Sequence, residues 1–148
     1  MEQVPAVDYR KDAATGRKFD LQERLLAFAV AIIKLSDACH KTQAGLHVAD
    51  QLLRAGTSPL FNHGEAEAAE SPRDFTHKLK LCLKELRETQ RALLLVQRVP
   101  LVVDIATVTP LLTEADELIR IFVASIRTAM KHMLKEDGGA GTTHDPAE

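Results

Sequence analysis

Six basic side chains, Arg73, Lys80, Lys84, Arg87, Arg91 and Arg98, recur at spacings of seven, four, three, four and seven residues. Stepped round a helix at about 100° per residue, they fall into one sector and form a basic stripe along a solvent-facing edge, with His77 beside it. Such a stripe suits phosphates, because spaced Lys and Arg release counterions and bind in a salt-dependent way. The competing reading is a solvated face in which Glu88 pairs with Lys84 and Arg91. No aromatic side chain interleaves with these cations, so stacking on bases is not offered.

Metal chemistry has a weaker footing. Asp37-x-x-His40 and Asp74-x-x-His77 are short-acid versions of the Glu-x-x-His pattern of di-iron bundles. His77 projects about 200° away from Phe75, however, and Asp37 and His40 fall at the end of a helix. His63 continues an interior stripe, with Glu67 one turn on, and a lone His there is ordinarily a hydrogen-bonded core residue. No metal and no cofactor is therefore assigned. Cys82 sits among leucines, where a thiol is raised in pKa and inert. No glycine-rich phosphate loop, Ser-His-Asp arrangement or pair of catalytic carboxylates can be assembled, so the expectation is a protein that is not an enzyme. Arg54 offers a structural role instead. If the helices before and after residue 70 are antiparallel, it reaches the level of Glu85 and Glu88 and could fork onto either; otherwise all three are solvated.

The elements that must carry these groups are helices. Leu21, Leu25, Phe28, Ile32 and Leu35 alternate spacings of four and three, with Leu26, Ala29 and Ile33 widening the stripe, over about residues 19–38. A second helix begins near Thr42, with Leu46, Ala49, Leu53, Gly56 and Leu60 as its stripe, flanked by Val48, Leu52 and Ala55. Pro59 lies inside it, so the pattern predicts a kink between Ala55 and Pro59, or else a break with Ser58 as the cap of a new helix. Ser71-Pro72-Arg73-Asp74 is the clearest helix start: a hydroxyl cap, a proline that wastes no donor and an acid that suits the dipole. That third helix puts Phe75, Leu79, Cys82, Leu86, Leu93 and Val96 on its core face and ends near Arg98. Residues 99–108, though β-branched, have no strand partner and read as a packed connection. A fourth helix enters through Thr107 to Pro110 and runs to about Lys135, with Leu111, Ala115, Leu118, Phe122, Ile126 and Met133 inward. Glu114, Asp116 and Glu117 lie early in it, and Arg127, Lys131 and Lys135 late, as the dipole prefers.

Composition agrees with this all-α reading. Of 148 residues, 45% are hydrophobic but only 4% aromatic, with no Trp, so Leu, Ile, Val and Ala must build the core. One domain is enough at this length. The expected organisation is a disordered tail over 1–18, an antiparallel up-down-up-down four-helix bundle over 19–135 and a disordered acidic tail over 136–148. The formal net charge of −2 is uneven: the last thirteen residues carry −4, leaving the bundle near neutral. Cys39 and Cys82 have no framework spacing, no signal-like segment opens the chain and no apolar run is long enough to span a bilayer, so a cytoplasmic location is expected. Leu81 and Leu95 on the third helix and Leu112, Ile119, Val123 and Met130 on the fourth project away from a narrow core stripe. Several such side chains predict a subunit interface and a homo-oligomer.

The ordered set LLRAGTS, Asn62-x-x-Glu65-Ala66, Ser71-x-x-Asp74-Phe75, Lys84-Glu85-x-x-Glu88-Thr89 and EADELI at Glu114 to Ile119 resembles a bacterial family. It is the four-helix bundle family that includes proteins encoded in intervening sequences of 23S ribosomal RNA genes. The resemblance covers about residues 19–133 and implies a ring-like homopentamer with no established enzymatic activity. It also implies that Arg54, Asn62, Glu65, Glu85 and Glu88 are the family's polar positions. A similar fold serves as the accessory protein of diversity-generating retroelements, where a basic surface engages nucleic acid and a reverse transcriptase. This chain departs at TSPLFNHGEA, where relatives read TSIGANIAEA or TSIPANIAEG. The expected function is that of a scaffold or interaction protein assembled from copies of itself. The alternative is an RNA- or DNA-binding accessory protein using the stripe from Arg73 to Arg98.

Overall fold

The computed structural model describes residues 20–139, so the expected tail over 1–18 and the end of the acidic tail, from residue 140, lie outside the described residues. Four helices follow in order: α1 Leu21–Ala38, α2 Gln43–Glu67, α3 Pro72–Arg98 and α4 Val108–Gly139. A single 3-10 turn, Ile105–Thr107, precedes α4, and among the described residues there is no strand.

The starts of α1, α2 and α3 are each fixed by a short polar side chain that satisfies an amide the helix leaves free. Asp20 accepts from the Glu23 amide at 3.1 Å, Thr42 from Gly45 at 3.1 Å and Ser71 from Asp74 at 3.0 Å. Pro72 occupies the first turn of α3, as expected. α2 is continuous from Gln43 to Glu67, so no second helix begins at Ser58. Pro59 is buried on the packed side of α2, where its carbonyl accepts from the Cys82 thiol at 3.6 Å.

The path of the chain is read from contacts at matched levels. Glu65 meets Lys78 and Pro59 meets Cys82, so α2 and α3 are antiparallel. Arg73 meets Asp137 and Thr76 meets Met133, so α3 and α4 are antiparallel too. α1 packs chiefly on α2 and only lightly on α4. The core joins Leu25, Phe28 and Ile32 of α1 with Leu52, Leu86, Leu93, Leu118 and Phe122. Truncating one such leucine to alanine costs about 2–5 kcal/mol, so this interior dominates the stability.

Gly56 sets the spacing between α1 and α2. A Cβ there would stand 2.5 Å from Ile32 Cγ2, so only glycine allows the two backbones to come this close. Of the packed connection expected over residues 99–108, Leu101 and Val102 are buried and the His40 amide donates to the Leu101 carbonyl at 2.8 Å, but Val99 and Val103 are exposed and the segment turns helical from Ile105. The Val99–Pro100 peptide is cis.

Three expectations fail. α2 is rotated by about one residue from the expected stripe, burying Gly45, Val48, Leu52, Ala55, Gly56, Pro59 and Ala66 while Leu46 and Leu53 are exposed. More than half of this helix's circumference is apolar, so the period fits two phases, and close approach at Gly56 selects the small-residue one. Phe75 is also exposed rather than in the core, because the first turn of α3 lies at an open end of the bundle. Finally, α4 continues four residues beyond Lys135, so residues 136–139 belong to the helix and not to the acidic tail.

Candidate interaction surfaces

The best-built polar cluster was not anticipated from the sequence. Arg24, on α1, is only 5% exposed. Its Nε donates to Glu114 Oε1 at 2.7 Å, one terminal nitrogen donates to Glu114 Oε2 at 3.1 Å, and the same group pairs with Glu117. Burial works against the charge, but the hydrogen bond and charge of Glu114, then those of Glu117, outweigh it and hold the guanidinium above its ordinary pKa. A planar fork clamped this way is a rigid tie between α1 and α4. One signal for it existed: Arg24 interrupts the apolar face between Leu21 and Leu25, and EADELI supplies two acids three residues apart.

The positions assigned to the family separate. Arg54 does not bridge to Glu85 or Glu88; it pairs with Asp50 on its own helix at 2.9 Å, and the two side chains are 68% and 61% exposed. An exposed pair one turn apart forms without reorienting the arginine, so the longer reach across the groove loses. The tie between α2 and α3 is instead Lys78 Nζ to Glu65 Oε2 at 2.7 Å. That hydrogen bond, against a smaller opposing effect of desolvation, raises the lysine pKa. Glu85 faces Glu88 rather than a cation. Its pKa is raised first by burial and then by the Glu88 charge, with Lys84 opposing. Asn62 is half-buried.

Among the basic stripe, all six side chains are exposed. Arg73 pairs with Asp137 at 3.8 Å. Lys80, Lys84, Arg87, Arg91 and Arg98 make no ion pair among the described residues, so Glu88 does not neutralise its neighbours. The stripe is thus a row of cations along α3 with no ion pair among the described residues from Lys80 on, about 27 Å from Lys80 to Arg98 at the helical rise.

Other candidates are less suited to chemistry. Among the described residues no three His, Cys, Asp or Glu side chains gather as metal ligands. His63 packs edge-on against Phe122, ring centroids 6.3 Å apart. Its Nδ1 lies 3.2 Å from Glu67 Oε1, close enough for an ion pair, but the geometry makes no hydrogen bond and the atom is otherwise buried without one. Burial pushes the Cys82 thiol up to about 12, too high for a nucleophile at neutral pH. Cys39 is raised by the same cause.

The surplus apolar surface is arranged differently from the expectation. Leu95 and Met130 are exposed, but Leu81, Leu112, Ile119 and Val123 are half-buried, and Leu112 and Ile119 pack against the core. The larger exposed set is on α1, where Leu26, Val30 and Ile33 are 40–42% exposed, joined by Leu46 and Leu53 of α2. Leu25 to Ile33 is an unbroken apolar run, wider than one buried face can use.

Comparison with known proteins agrees with this architecture. The family model described as "23S rRNA-intervening sequence protein" matches residues 17–124. A crystal structure of a protein of unknown function from the S23 ribosomal protein family of Bacteroides thetaiotaomicron is similar at 31% identity, over 71% of this chain and 96% of its own, with a TM-score of 0.65. No curated protein matches the chain. No helix among the described residues is long and apolar enough to cross a membrane.

Proposed function

The chain belongs to the 23S rRNA-intervening sequence protein family, and we propose that it acts as a non-enzymatic, homo-oligomeric scaffold or interaction protein in the cytoplasm. The observation that carries this reading is the exposed apolar face of α1, with Leu26, Val30 and Ile33 all about two-fifths accessible. A helix face that leaves a run of large apolar side chains exposed is favoured when something covers it. The ring-like pentamer implied by the resemblance would supply that cover from copies of the same chain. Light scattering at micromolar concentration tests it: a mass several times the 16.3 kDa of one chain is expected, and a monomer overturns it.

A second reading rests on a separate observation, the five cations of α3 that make no ion pair among the described residues. They would bind nucleic acid through the phosphate backbone, as an accessory protein does, without base readout. Retention on a mixed nucleic-acid probe should then fall steeply with salt and be lost when Lys84, Arg87 and Arg91 become Gln. Absence of binding at low salt removes this reading.

A further inference from the structure

We infer that the segment running into α1, Arg17-Lys18-Phe19, docks in an open acidic groove at the foot of the bundle, between the ends of α2 and α4. This is independent of self-assembly. The groove has a volume of about 490 Å3; Ala66, Phe75 and Ala129 give its apolar lining, and Glu67, Glu70 and Glu136 its acids. A second hollow, of about 400 Å3, shares Phe75, Ala129 and His132 with it and runs along α4 to Ala124. No residue of α1 lines either. Two registers bring the start of α1 to this place. Ile32 lies against Gly56, and α1 and α2 are joined by a short link, so Leu21, eleven residues before Ile32, comes level with Glu67, eleven beyond Gly56. On α4, Glu114 and Glu117 hold Arg24, and at about 100° per residue the same side of that helix continues through Ser125 and Thr128 to His132. Neighbouring helices stand about 8–10 Å apart, a distance that three extended residues cover.

The groove lacks cations. α2 and α4 both end here with no basic residue in the last turn, where the carbonyl end of a helix favours positive charge. Glu70 and Glu136 make no ion pair among the described residues, and Glu67 has His63, charged only when protonated. The bordering charges do not reverse this. Lys78 is taken by Glu65 and Arg73 by Asp137, while Asp74 adds a further acid. Lys131 and Lys135 are exposed but do not line the groove; they lie about 100° and 60° round α4 from His132, away from Ala129 and Glu136. The segment supplies what is missing. Residues 13–19, AATGRKF, carry Arg17, Lys18 and an aromatic ring, and no acid. Phe19 precedes the cap Asp20, a place from which an apolar side chain packs on the fourth residue of the helix; here that residue is Arg24, already held by Glu114 and Glu117. Residues 140–148, which follow α4, carry Asp145 and Glu148 without Lys or Arg, so their charge opposes the same site.

Because the chain has no Trp, Phe19→Trp places a single fluorescent reporter in the segment, read by its emission maximum and its access to acrylamide, with helicity followed by circular dichroism. In the full chain the emission should be blue-shifted and acrylamide access low. Adding Glu70→Lys with Glu136→Lys should shift the emission to the red and abolish the shielding. Adding Arg17→Glu with Lys18→Glu to that variant should restore it. If the lysine pair lowers helicity, Glu70→Gln with Glu136→Gln replaces it, and loss of shielding is again expected. A reporter as accessible as in a free peptide of residues 1–19 overturns the docking. Shielding that the changes at Glu70 and Glu136 leave intact overturns the groove as its site, and a charge swap that fails to restore shielding overturns the pairing with Arg17 and Lys18. Refolded with an excess of wild-type chains, the reporter chain carrying Glu70→Lys and Glu136→Lys should stay exposed. Recovered shielding would mean docking on a neighbouring copy and overturn the assignment to the chain's own groove.

Discussion

Arg24 shows what a single residue contributes when burial is nearly complete. Removing a buried charge's partner leaves the other side uncompensated, whereas the same bond at the surface is worth little. The three members of the cluster are graded in this respect: Arg24 is 5% exposed, Glu114 20% and Glu117 53%. Chemical denaturation should follow that order, with Arg24→Ala costing about 3 kcal/mol, Glu114→Gln less, and Glu117→Gln under about 1 kcal/mol. Glu85 behaves in the opposite sense. Because its folded pKa lies above the ordinary 4.5, its folded state holds the proton more tightly than the unfolded chain does. The stabilisation this gives is complete below pH 4.5 and is lost as pH rises through the raised value. Glu85→Gln should flatten the melting temperature between weakly acidic and neutral pH, and stabilise the neutral protein by under about 1 kcal/mol.

Among the helices, α2 is where sequence and packing negotiate. Two glycines inside it have opposite roles. At Gly56 an added methyl would collide with Ile32, whereas at Gly64 a Cβ would meet nothing within 4 Å. Gly64→Ala should therefore raise stability by about 0.5–1 kcal/mol through helix propensity alone. Gly56→Ala should lower it by about 1–3 kcal/mol by forcing α1 and α2 apart. Thermal melts of the two variants, moving in opposite directions, would establish that Gly56 sets the helix spacing while Gly64, the glycine within the departure TSPLFNHGEA, does not. Pro59 is accommodated for a related reason. Its ring lies on the buried side and its own carbonyl accepts from the Cys82 thiol, while the acceptor that loses its helical donor is the carbonyl of Ala55, four residues back.

At the scale of the whole molecule, the question is how α1 stays folded against a bundle it grips lightly on one side. The proposed self-association would answer it, and association of folded chains raises the melting temperature by mass action. The melting midpoint should climb with protein concentration in the wild type, and Val30→Glu should abolish that climb. The basic stripe adds an independent expectation at this scale: α3 presents its cations on a protein whose overall charge is near neutral, so any nucleic-acid affinity is local and salt-sensitive.

Helix number, the Ser71 cap and the main inward residues of α1, α3 and α4 were legible from capping chemistry and spacings of three and four, with Phe75 of α3 and the flanking Leu26 and Ile33 of α1 as exceptions. The basic stripe was legible too, since six cations at helical spacing have only one face to occupy. The phase of α2 was not, because leucines and small residues compete for its inner face and only the meeting of Gly56 with Ile32 decides between them. Nor could the sequence pair Arg24 with Glu114 and Glu117, ninety residues away, or deny Arg54 its bridge to Glu85. Local periodicity determines which side of a helix is apolar. Which of those sides is covered, and which polar groups come within hydrogen-bond reach, depends on distances between helices, and those exist only once the chain has packed.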